Sequence, residues 1–300
     1  MASLVDASPR LLGSLGPVGP LGYGQWRYTT TDIGAAQRLI ETALDAGMNL
    51  IDTADVYGLD WGGTGFGEVE ALLGRVVGAA PHLRSRMILA TKGGIAPPTP
   101  YDSSPAALRA ACEASLDRLR VDVIDLYQIH RPDLFTHPAD VAATLAELRT
   151  AGKIREVGVS NHTPAQVDAL RAHLPFALVS NQPQFSAADL AALRDGTLDA
   201  CMRDGIVPIA WSPLAGGRLA TGDGVPTELV SVLDEIAERE STDRSTIALA
   251  FVLAHPSRPI AVVGTQRPER ILASTDALRV FLDRHDVYRI VQASEGVPLP

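Results

Sequence analysis

The feature that most constrains the fold of this 300-residue chain is an alternation of short apolar runs with amphipathic segments, repeated from residue 18 to about residue 278. Apolar runs of about four to six residues predict buried strands, and apolar side chains at helical spacing predict the helices that cover them. The predicted strands span residues 18–24, 48–52, 87–92, 123–130, 156–160, 177–181, 208–211 and 260–263. Strands that alternate in this way with helices predict a parallel sheet, either closed or open.

The helices between the strands carry their own start and stop signals. In residues 32–47 the apolar side chains fall on one face, and Gly47 supplies a helix stop. Thr163, Pro164 and Gln166 combine an N-cap, a proline at the first helical position and a capping-box partner. Other helices are predicted to begin at 104 and to span 67–77, 139–151, 228–239, 245–254, 268–277 and about 282–293. No Pro/Gly-rich linker divides the chain, so residues 1–300 are predicted to form a single domain.

Two glycine-rich segments decide between an open and a closed sheet. An open doubly wound sheet normally binds a dinucleotide through G-x-G-x-x-G after its first strand. The segment LGYGQWR at 21–27 lacks the third glycine, and GGTGFGE at 62–68 does not directly follow a strand. The predicted fold is therefore α/β, a single-domain (β/α)8 TIM barrel with its active site at the C-terminal ends of the strands.

Composition excludes several classes of partner. The formal net charge of −9 disfavours binding to a phosphate backbone, so no nucleic-acid partner is expected. No apolar run approaches the ~18 residues of a membrane span, so no membrane partner is expected either. The N-terminus does not resemble a secretory signal, and Cys112 and Cys201 cannot form a disulfide framework. These observations predict a cytoplasmic protein; the sequence does not indicate its oligomeric state.

Polar residues stand at the predicted C-terminal ends of successive strands. Asp52, Lys92 and His130 end the second, third and fourth strands, and Tyr57 lies five residues beyond Asp52. Taken singly, each has a structural explanation, such as a turn-forming carboxylate or a lysine that meets solvent. Because these strand ends meet at one face of a barrel, we expect the four side chains to act together. Later strands end on Ser160 and Asn161, on Asn181 and Gln182, and on Trp211 and Ser212.

The four residues have interlocking acid–base chemistry. A phenol with its ordinary pKa of about 10 donates protons poorly near neutral pH. An ammonium about 4 Å away attracts the phenolate by about 4 kcal/mol at an effective dielectric constant of about 20, which lowers that pKa. We therefore expect Tyr57 to protonate a carbonyl oxygen with its pKa lowered by Lys92. Asp52 would keep Lys92 charged, and His130 would orient the carbonyl by a hydrogen bond.

Other reaction classes fit less well. No nucleophile stands among these strand ends, and no second carboxylate faces Asp52 as glycoside hydrolysis requires. The sequence has no H-E-x-x-H motif and no paired Cys/His spacing for a metal. Hydride transfer from a bound cofactor is the chemistry that remains.

A series of motifs over nearly the whole chain carries a family resemblance. In order, they are DTADVYG (52–58), TKGG (91–94), DLYQIHRPD (125–133), GKIREVGVSN (152–161), SNQPQFS (180–186), AWSPLAGGRL (210–219) and VVGTQRPERI (262–271). Jointly they resemble the aldo-keto reductases, in particular bacterial members with short loops. The resemblance implies the family's catalytic tetrad at Asp52, Tyr57, Lys92 and His130, and reduction of aldehydes or ketones to alcohols with a nicotinamide cofactor.

The resemblance also implies a site for NADPH/NADP+. The nicotinamide carboxamide would be held by Ser160, Asn161 and Gln182, and Trp211, where the family more often has tyrosine, would stack on the ring. Contacts with the pyrophosphate are implied for Ser212, Leu214, Gly216 and Gly217. Thr265 and Arg270 match positions that bind the adenosine 2′-phosphate, and Arg267 adds a cation at the start of the same helix. The structural alternative for the two arginines is a solvated helix face. Three further positions depart from the family pattern, with Gly264 in place of a common lysine and Ala273 and Ser274 in place of residues that usually hold adenine.

A small carbonyl compound is the expected substrate. The predicted lining of its pocket is Tyr23, Gln25, Trp26, Trp61, Arg131 and Trp211. The short loops fit an open pocket for small aldehydes or diketones. Arg131 would favour an anionic substrate unless it pairs with Asp133. An alternative function is a cofactor-binding redox sensor or regulatory subunit, like the potassium-channel β-subunits of the same superfamily; the absence of a long N-terminal extension favours the enzyme.

Overall fold

Eight parallel strands form a closed barrel in the computed structural model, which describes residues 3–59 and 61–299. Each strand pairs with its neighbours in sequence, and the last pairs with the first. The barrel strands are β1 (Leu21–Gly24), β2 (Leu50–Asp52), β3 (Ile88–Gly93), β4 (Ile124–Ile129), β5 (Ile154–Ser160), β6 (Ser180–Gln182), β7 (Val207–Ala210) and β8 (Ile260–Val263). The predicted TIM barrel is confirmed.

Helices surround the strands. The α-helices of the described residues are α1 (Ile33–Asp45), α2 (Glu68–Ala79), α3 (Pro105–Leu119), α4 (Pro138–Thr150), α5 (Pro164–Arg171), α6 (Ala191–Arg194), α7 (Thr197–Asp204), α8 (Arg218–Thr221), α9 (Thr227–Arg239), α10 (Arg244–Leu253), α11 (Pro268–Ala273) and α12 (Arg284–Glu295). Short 3-10 helices occupy Gly13–Leu15, Pro81–Arg86, Ala215–Gly217 and Ser274–Arg279. The predicted capping box of α5 is confirmed, because Thr163 and Gln166 exchange both hydrogen bonds.

Several predicted boundaries were wrong. The first strand was placed too early, because Pro17–Val18 pairs antiparallel with Arg10–Leu11 in a separate hairpin before β1. Likewise β6 begins only at Ser180, where pairing with β5 starts. The predicted helix 268–277 divides into α11 and a 3-10 helix. The short helices α6, α7 and α8 were not predicted, since they are too brief to show a clear apolar period.

The N-terminal hairpin closes one end of the barrel. Leu12 and Val18 are fully buried in a cluster with the inward side chains of five barrel strands and with Val179. The backbone N–H of Ser14 donates to Glu156 Oε1 at 2.8 Å, which fixes the hairpin to the N-terminal region of β5. The N-terminal end of the barrel is therefore filled with apolar side chains, and the polar strand ends gather at the other end.

Two further predictions concern membranes and cysteines. Within the described residues, no helix is both long and apolar enough to cross a membrane. Cys112 and Cys201 are buried as free thiols. The cytoplasmic location stays a prediction.

Candidate active site

Strands β2 and β3 bring Asp52 and Lys92 together at the C-terminal end of the barrel. Lys92 is fully buried, and its Nζ lies 2.8 Å from Asp52 Oδ2 and 2.8 Å from the carbonyl oxygen of Thr53. The same Nζ lies 3.2 Å from Tyr57 Oη, because the loop after β2 returns over the strand ends. Three of the four predicted catalytic side chains are thus in direct contact.

The charge state of this group is set by burial and by the ion pair. Burial lowers the pKa of Lys92, but Asp52 and then Tyr57 oppose this, so the pKa lies above its ordinary value. For Tyr57, burial raises the pKa more than Lys92 lowers it, and the net pKa lies above its ordinary value. The expected net decrease was therefore wrong in sign, although Lys92 contributes in the expected direction. The phenol stays protonated near neutral pH, which is the form a proton donor needs.

His130 directly follows β4 and faces Tyr57. The two rings meet edge to face with centroids 5.9 Å apart. Burial, followed by the charges of Lys92 and Arg131, holds the pKa of His130 well below its ordinary value, so the imidazole is neutral. Its Nδ1 is buried without a hydrogen-bond partner in the described part of the chain. No described residue accepts a hydrogen bond from Nδ1. The arrangement therefore favours the tautomer that carries its N–H on Nε2.

A hydrogen-bonded network lies beside these residues on β5, β6 and the segment after β7. Ser160 Oγ donates to the carbonyl oxygen of Gln182 at 2.8 Å, and Asn161 Nδ2 donates to Ser160 Oγ at 2.8 Å. Trp211 Nε1 donates to Asn161 Oδ1 at 2.8 Å, and Gln182 Nε2 donates to Asp52 Oδ1 at 2.9 Å. The four residues implied for the nicotinamide are therefore linked to each other and to Asp52.

A cavity of about 1250 Å³ joins this network to the other predicted cofactor positions. That volume exceeds the ~300–1,000 Å³ typical of small-ligand pockets. Its lining includes Asp52, Tyr57 and His130 at one end and Arg267 and Arg270 at the other. The lining also contains the other positions implied for the cofactor: Ser160, Asn161, Gln182, Trp211, Ser212, Leu214, Gly216, Gly217 and Thr265.

The segment after β7 has the backbone that close approach to a phosphate requires. Gly216 and Gly217 have φ values of 70° and 101°, which side chains other than hydrogen disfavour. Ser212 Oγ accepts from the N–H of Gly216 at 2.8 Å and fixes the turn. Arg27, which the sequence analysis missed, donates from Nη2 to the carbonyl oxygen of Gly216 at 2.9 Å. Its only sequence signal was a cation directly after Trp26.

The far end of the cavity is basic. Arg267 and Arg270 are exposed and form no ion pair with any acidic residue in 3–59 or 61–299. Arg244 also lines this end of the cavity, but it forms an ion pair with Asp234. Its Nε and Nη2 donate hydrogen bonds of 2.8 and 2.6 Å to the two carboxylate oxygens. The start of α10, with Ser245, was not predicted as part of the site. This donor set is suited to a phosphate group.

The predicted substrate-pocket residues are only partly brought together. Trp26 and Arg131 line the cavity, and Trp61 packs on Trp26 with ring centroids 4.9 Å apart. Tyr23 was wrongly assigned to the pocket. Its ring is fully buried edge to face against Tyr28, and its hydroxyl reaches the carbonyl oxygen of Thr265. The reason is strand alternation, because its neighbours Gly22 and Gly24 face the barrel interior.

A closed parallel barrel with these acid–base groups at its mouth defines a barrel enzyme whose site is assembled from several strands. The sequence model of the Aldo/keto reductase family matches residues 20–295, so the chain belongs to the aldo-keto reductase family and is an oxidoreductase. No group of three or more possible metal ligands occurs among the residues that the structure describes.

Particular relatives span nearly the whole chain. A 6-dehydroglucose reductase from Novosphingobium aromaticivorans is 46% identical over 296 residues, covering 97% of each chain. A 6-dehydroglucose reductase from Agrobacterium fabrum is 34% identical over 286 residues, covering 91% of this chain and 93% of the relative. The structure of a glycerol dehydrogenase from Gluconobacter oxydans matches with a TM-score of 0.82 and 27% identity over 98% of both chains.

Proposed function

We propose that this chain reduces aldehydes or ketones to alcohols with NADPH and that Tyr57 is the proton donor. The observation that carries the proposal is the position of Lys92 Nζ, 2.8 Å from Asp52 Oδ2 and 3.2 Å from Tyr57 Oη. An ammonium in this position stabilises the phenolate that proton transfer leaves behind. Asp52 in turn stabilises the charged form of Lys92.

The catalytic step uses the protonated phenol and the neutral imidazole. A carbonyl oxygen that lies between Tyr57 Oη and His130 accepts a hydrogen bond from each, which polarises the carbonyl. The phenol then gives its proton to the oxygen as the carbonyl carbon is reduced, and the phenolate remains beside Lys92. The nicotinamide, when bound, supplies the hydride.

A preference for NADPH over NADH follows from the basic end of the cavity. Arg267 and Arg270 have no acidic partner among the described residues, so both are free to pair with a 2′-phosphate. Thr265 adds a hydroxyl on the same segment. Gly264 offers no charge where many relatives have lysine, so the two arginines supply the cations at this segment.

The substrate class that we propose is a small aldehyde rich in hydroxyl groups, such as a sugar aldehyde. Two relatives are called 6-dehydroglucose reductases, one of them 46% identical. The cavity mouth also offers donors that suit hydroxyl oxygens, since Arg131 lines it without an ion pair to any described residue. Trp26 supplies an apolar face nearby.

The proposal is tested by following NADPH oxidation with 6-dehydroglucose, glyceraldehyde and a diketone, in the wild type and in Tyr57→Phe. The wild type is expected to turn over at least one of these compounds. Tyr57→Phe is expected to lose at least about 100-fold in kcat, as is typical when a positioned acid is removed, while its Kd for NADPH stays nearly the same. Unchanged turnover in Tyr57→Phe would refute the proton-donor role.

A further inference from the structure

The turn that carries Tyr57 starts from a backbone hydrogen bond to β3. The N–H of Asp55 donates to the carbonyl oxygen of Lys92 at 3.0 Å, three residues beyond the end of β2. The N–H of Tyr57 then donates to the carbonyl oxygen of Ala54 at 3.2 Å and closes the turn. The backbone of Asp55 is therefore joined to Lys92 two residues before the chain reaches Tyr57.

A mostly buried polar layer lies on the other side of β3, where the strand and β4 meet α2 and α3. This outer polar layer consists of Asp55, Glu70, Thr91, Arg118 and Tyr127. Glu70 is fully buried and accepts from Thr91 Oγ1 at 2.5 Å and from Arg118 Nε at 2.8 Å, so both of its oxygens have partners. Thr91 and Lys92 face opposite sides of β3, because successive side chains of a strand alternate.

Tyr127 brings a hydroxyl against the backbone next to Lys92. A Cβ on Gly93 would lie 2.1 Å from Tyr127 Oη, so only glycine leaves room for the hydroxyl there. Tyr127 is fully buried, and its Oη has no hydrogen-bond partner within residues 3–59 and 61–299. Asp55 is 1% exposed, and its Oδ1 likewise has none there. Two residues that contact the backbone at Lys92 and Gly93 thus each carry a buried oxygen without a partner.

The two oxygens can satisfy each other. After burial, Asp55 is the largest cause that raises the pKa of Tyr127, so the two side chains are near neighbours. Burial and then Glu70 raise the pKa of Asp55 itself well above its ordinary value, so the carboxyl keeps its proton. A carboxylic acid and a phenol can both donate and accept hydrogen bonds. A bond between them, direct or through one buried water, removes the cost of two unpaired atoms and anchors Asp55.

We propose that Asp55 is a positioning residue that holds the turn before Tyr57 so that the phenol meets Lys92. The inference rests on the proposed function, because it needs Tyr57 to be the proton donor. The backbone of Asp55 is bonded to Lys92 and its side chain is anchored in the outer polar layer. This one residue therefore sets the tyrosine relative to the lysine, and the 3.2 Å between Lys92 Nζ and Tyr57 Oη depends on it.

The anchor requires hydrogen bonds and no charge, which two variants of similar size separate. Asp55→Asn keeps a donor and an acceptor, whereas Asp55→Leu keeps only the approximate volume. Thr144→Val on α4 is the control, because it removes a buried hydrogen bond of 2.8 Å, from Thr144 Oγ1 to the carbonyl oxygen of Asp140, outside the cavity lining. If Asp55→Leu does not fold, Asp55→Ala gives the same comparison.

The experiment measures a single turnover of NADPH in H2O and in D2O, with glyceraldehyde or 6-dehydroglucose, whichever the wild type reduces faster. The rate is divided by the fraction of protein that binds NADPH in a calorimetric titration, so unfolded protein does not count. A merely structural role for Asp55 lowers that fraction and leaves the rate per binding site and its solvent isotope effect unchanged.

Asp55→Leu is expected to lower the rate per binding site about 10- to 100-fold, because a displacement of about 1 Å at the reacting group has an effect of this size. Its solvent isotope effect should increase, since proton transfer from Tyr57 becomes the slower part of the step. Asp55→Asn, which keeps the hydrogen bonds, and Thr144→Val, which is distant from the site, should stay within about 2-fold of the wild type.

Two results would overturn the inference. One is a rate per binding site in Asp55→Leu within about 2-fold of the wild type, which would leave Asp55 with a structural role alone. The other is an equal decrease in Asp55→Asn and Asp55→Leu, because hydrogen bonding would then not be the anchor. A wild type that reduces no aldehyde would instead refute the proposed function, and that result is obtained from the wild type alone.

Discussion

At the scale of single residues, Arg131 is the side chain on which the proposed substrate class most directly depends. The sequence left open whether it pairs with Asp133. Asp133 Oδ2 instead accepts hydrogen bonds from the backbone N–H of Ser103 at 2.8 Å and from the hydroxyl of Thr136 at 2.6 Å. Arg131 lies beside His130 with its guanidinium 5.8 Å from the Trp211 ring centroid. A half-buried cation without an acidic partner among the described residues suits the proposed substrate, which carries an oxygen acceptor next to the carbonyl.

Arg131→Met tests this view, because methionine keeps an apolar stem and removes the charge. The value of kcat/KM for glyceraldehyde is expected to fall about 10- to 100-fold, which corresponds to the loss of a hydrogen bond from a charged group. Propanal, which has no hydroxyl groups, should change by less than about 3-fold. Steady-state assays with both aldehydes give the comparison. Equal decreases for the two would show that Arg131 acts through packing alone.

The contacts among Asp52, Lys92 and Tyr57 were predicted from the sequence, whereas the hydrogen bond from Gln182 to Asp52 was not. Asp52, Lys92 and His130 were found because a buried strand that ends on a polar residue is visible in the sequence. The bond from Gln182 to Asp52 joins residues 130 positions apart and depends on the barrel closing. The pKa of Tyr57 was predicted to fall but lies above its ordinary value, because the loop buries the phenol. The depth of that burial depends on the folded loop and could not be predicted from the sequence.

At the scale of secondary-structure elements, α2, α3 and β3 enclose two carboxylates with one arginine. Glu70 is fully buried and accepts from Thr91 Oγ1 at 2.5 Å and from Arg118 Nε at 2.8 Å. Asp55 is 1% exposed, and its Oδ1 has no hydrogen-bond partner among the described residues. Burial and then Glu70 raise the pKa of Asp55 well above its ordinary value.

Asp55 is therefore expected to make the fold less stable as the pH rises. Above about pH 4 the unfolded chain loses this proton while the folded chain keeps it, so the free energy of unfolding falls until the folded pKa is passed. Asp55→Asn removes the titration and should raise the free energy of unfolding at pH 8 by about 1–3 kcal/mol, more than at pH 5. Urea unfolding at both pH values gives the measurement. The exposed Asp122→Asn is the control, and equal behaviour of the two variants would contradict the assignment.

At the scale of the whole molecule, the side chains that stabilise the barrel and those that form the candidate site lie at opposite ends. The N-terminal end is closed by the hairpin and filled with apolar side chains, whereas the polar residues of the site lie at the C-terminal end. The hairpin was not predicted, because two strands of two residues each are too short to show an alternating pattern. Its contribution to the fold is visible in the burial of Leu12 and Val18 and in the hydrogen bond from Ser14 to Glu156.

Two adjacent leucines allow this separation to be tested. Leu12 is 0% exposed in the barrel interior, and Leu11 is 71% exposed on the same hairpin. Leu12→Ala is expected to lower the free energy of unfolding by about 2–5 kcal/mol, because it leaves a cavity among close-packed side chains. Leu11→Ala should change it by less than about 0.5 kcal/mol. Urea unfolding measures both free energies. The KM for NADPH at 25 °C should stay within about 2-fold of the wild type in each folded variant, since neither Leu11 nor Leu12 lines the cavity. A raised KM in Leu12→Ala alone would show that the two ends of the barrel are coupled.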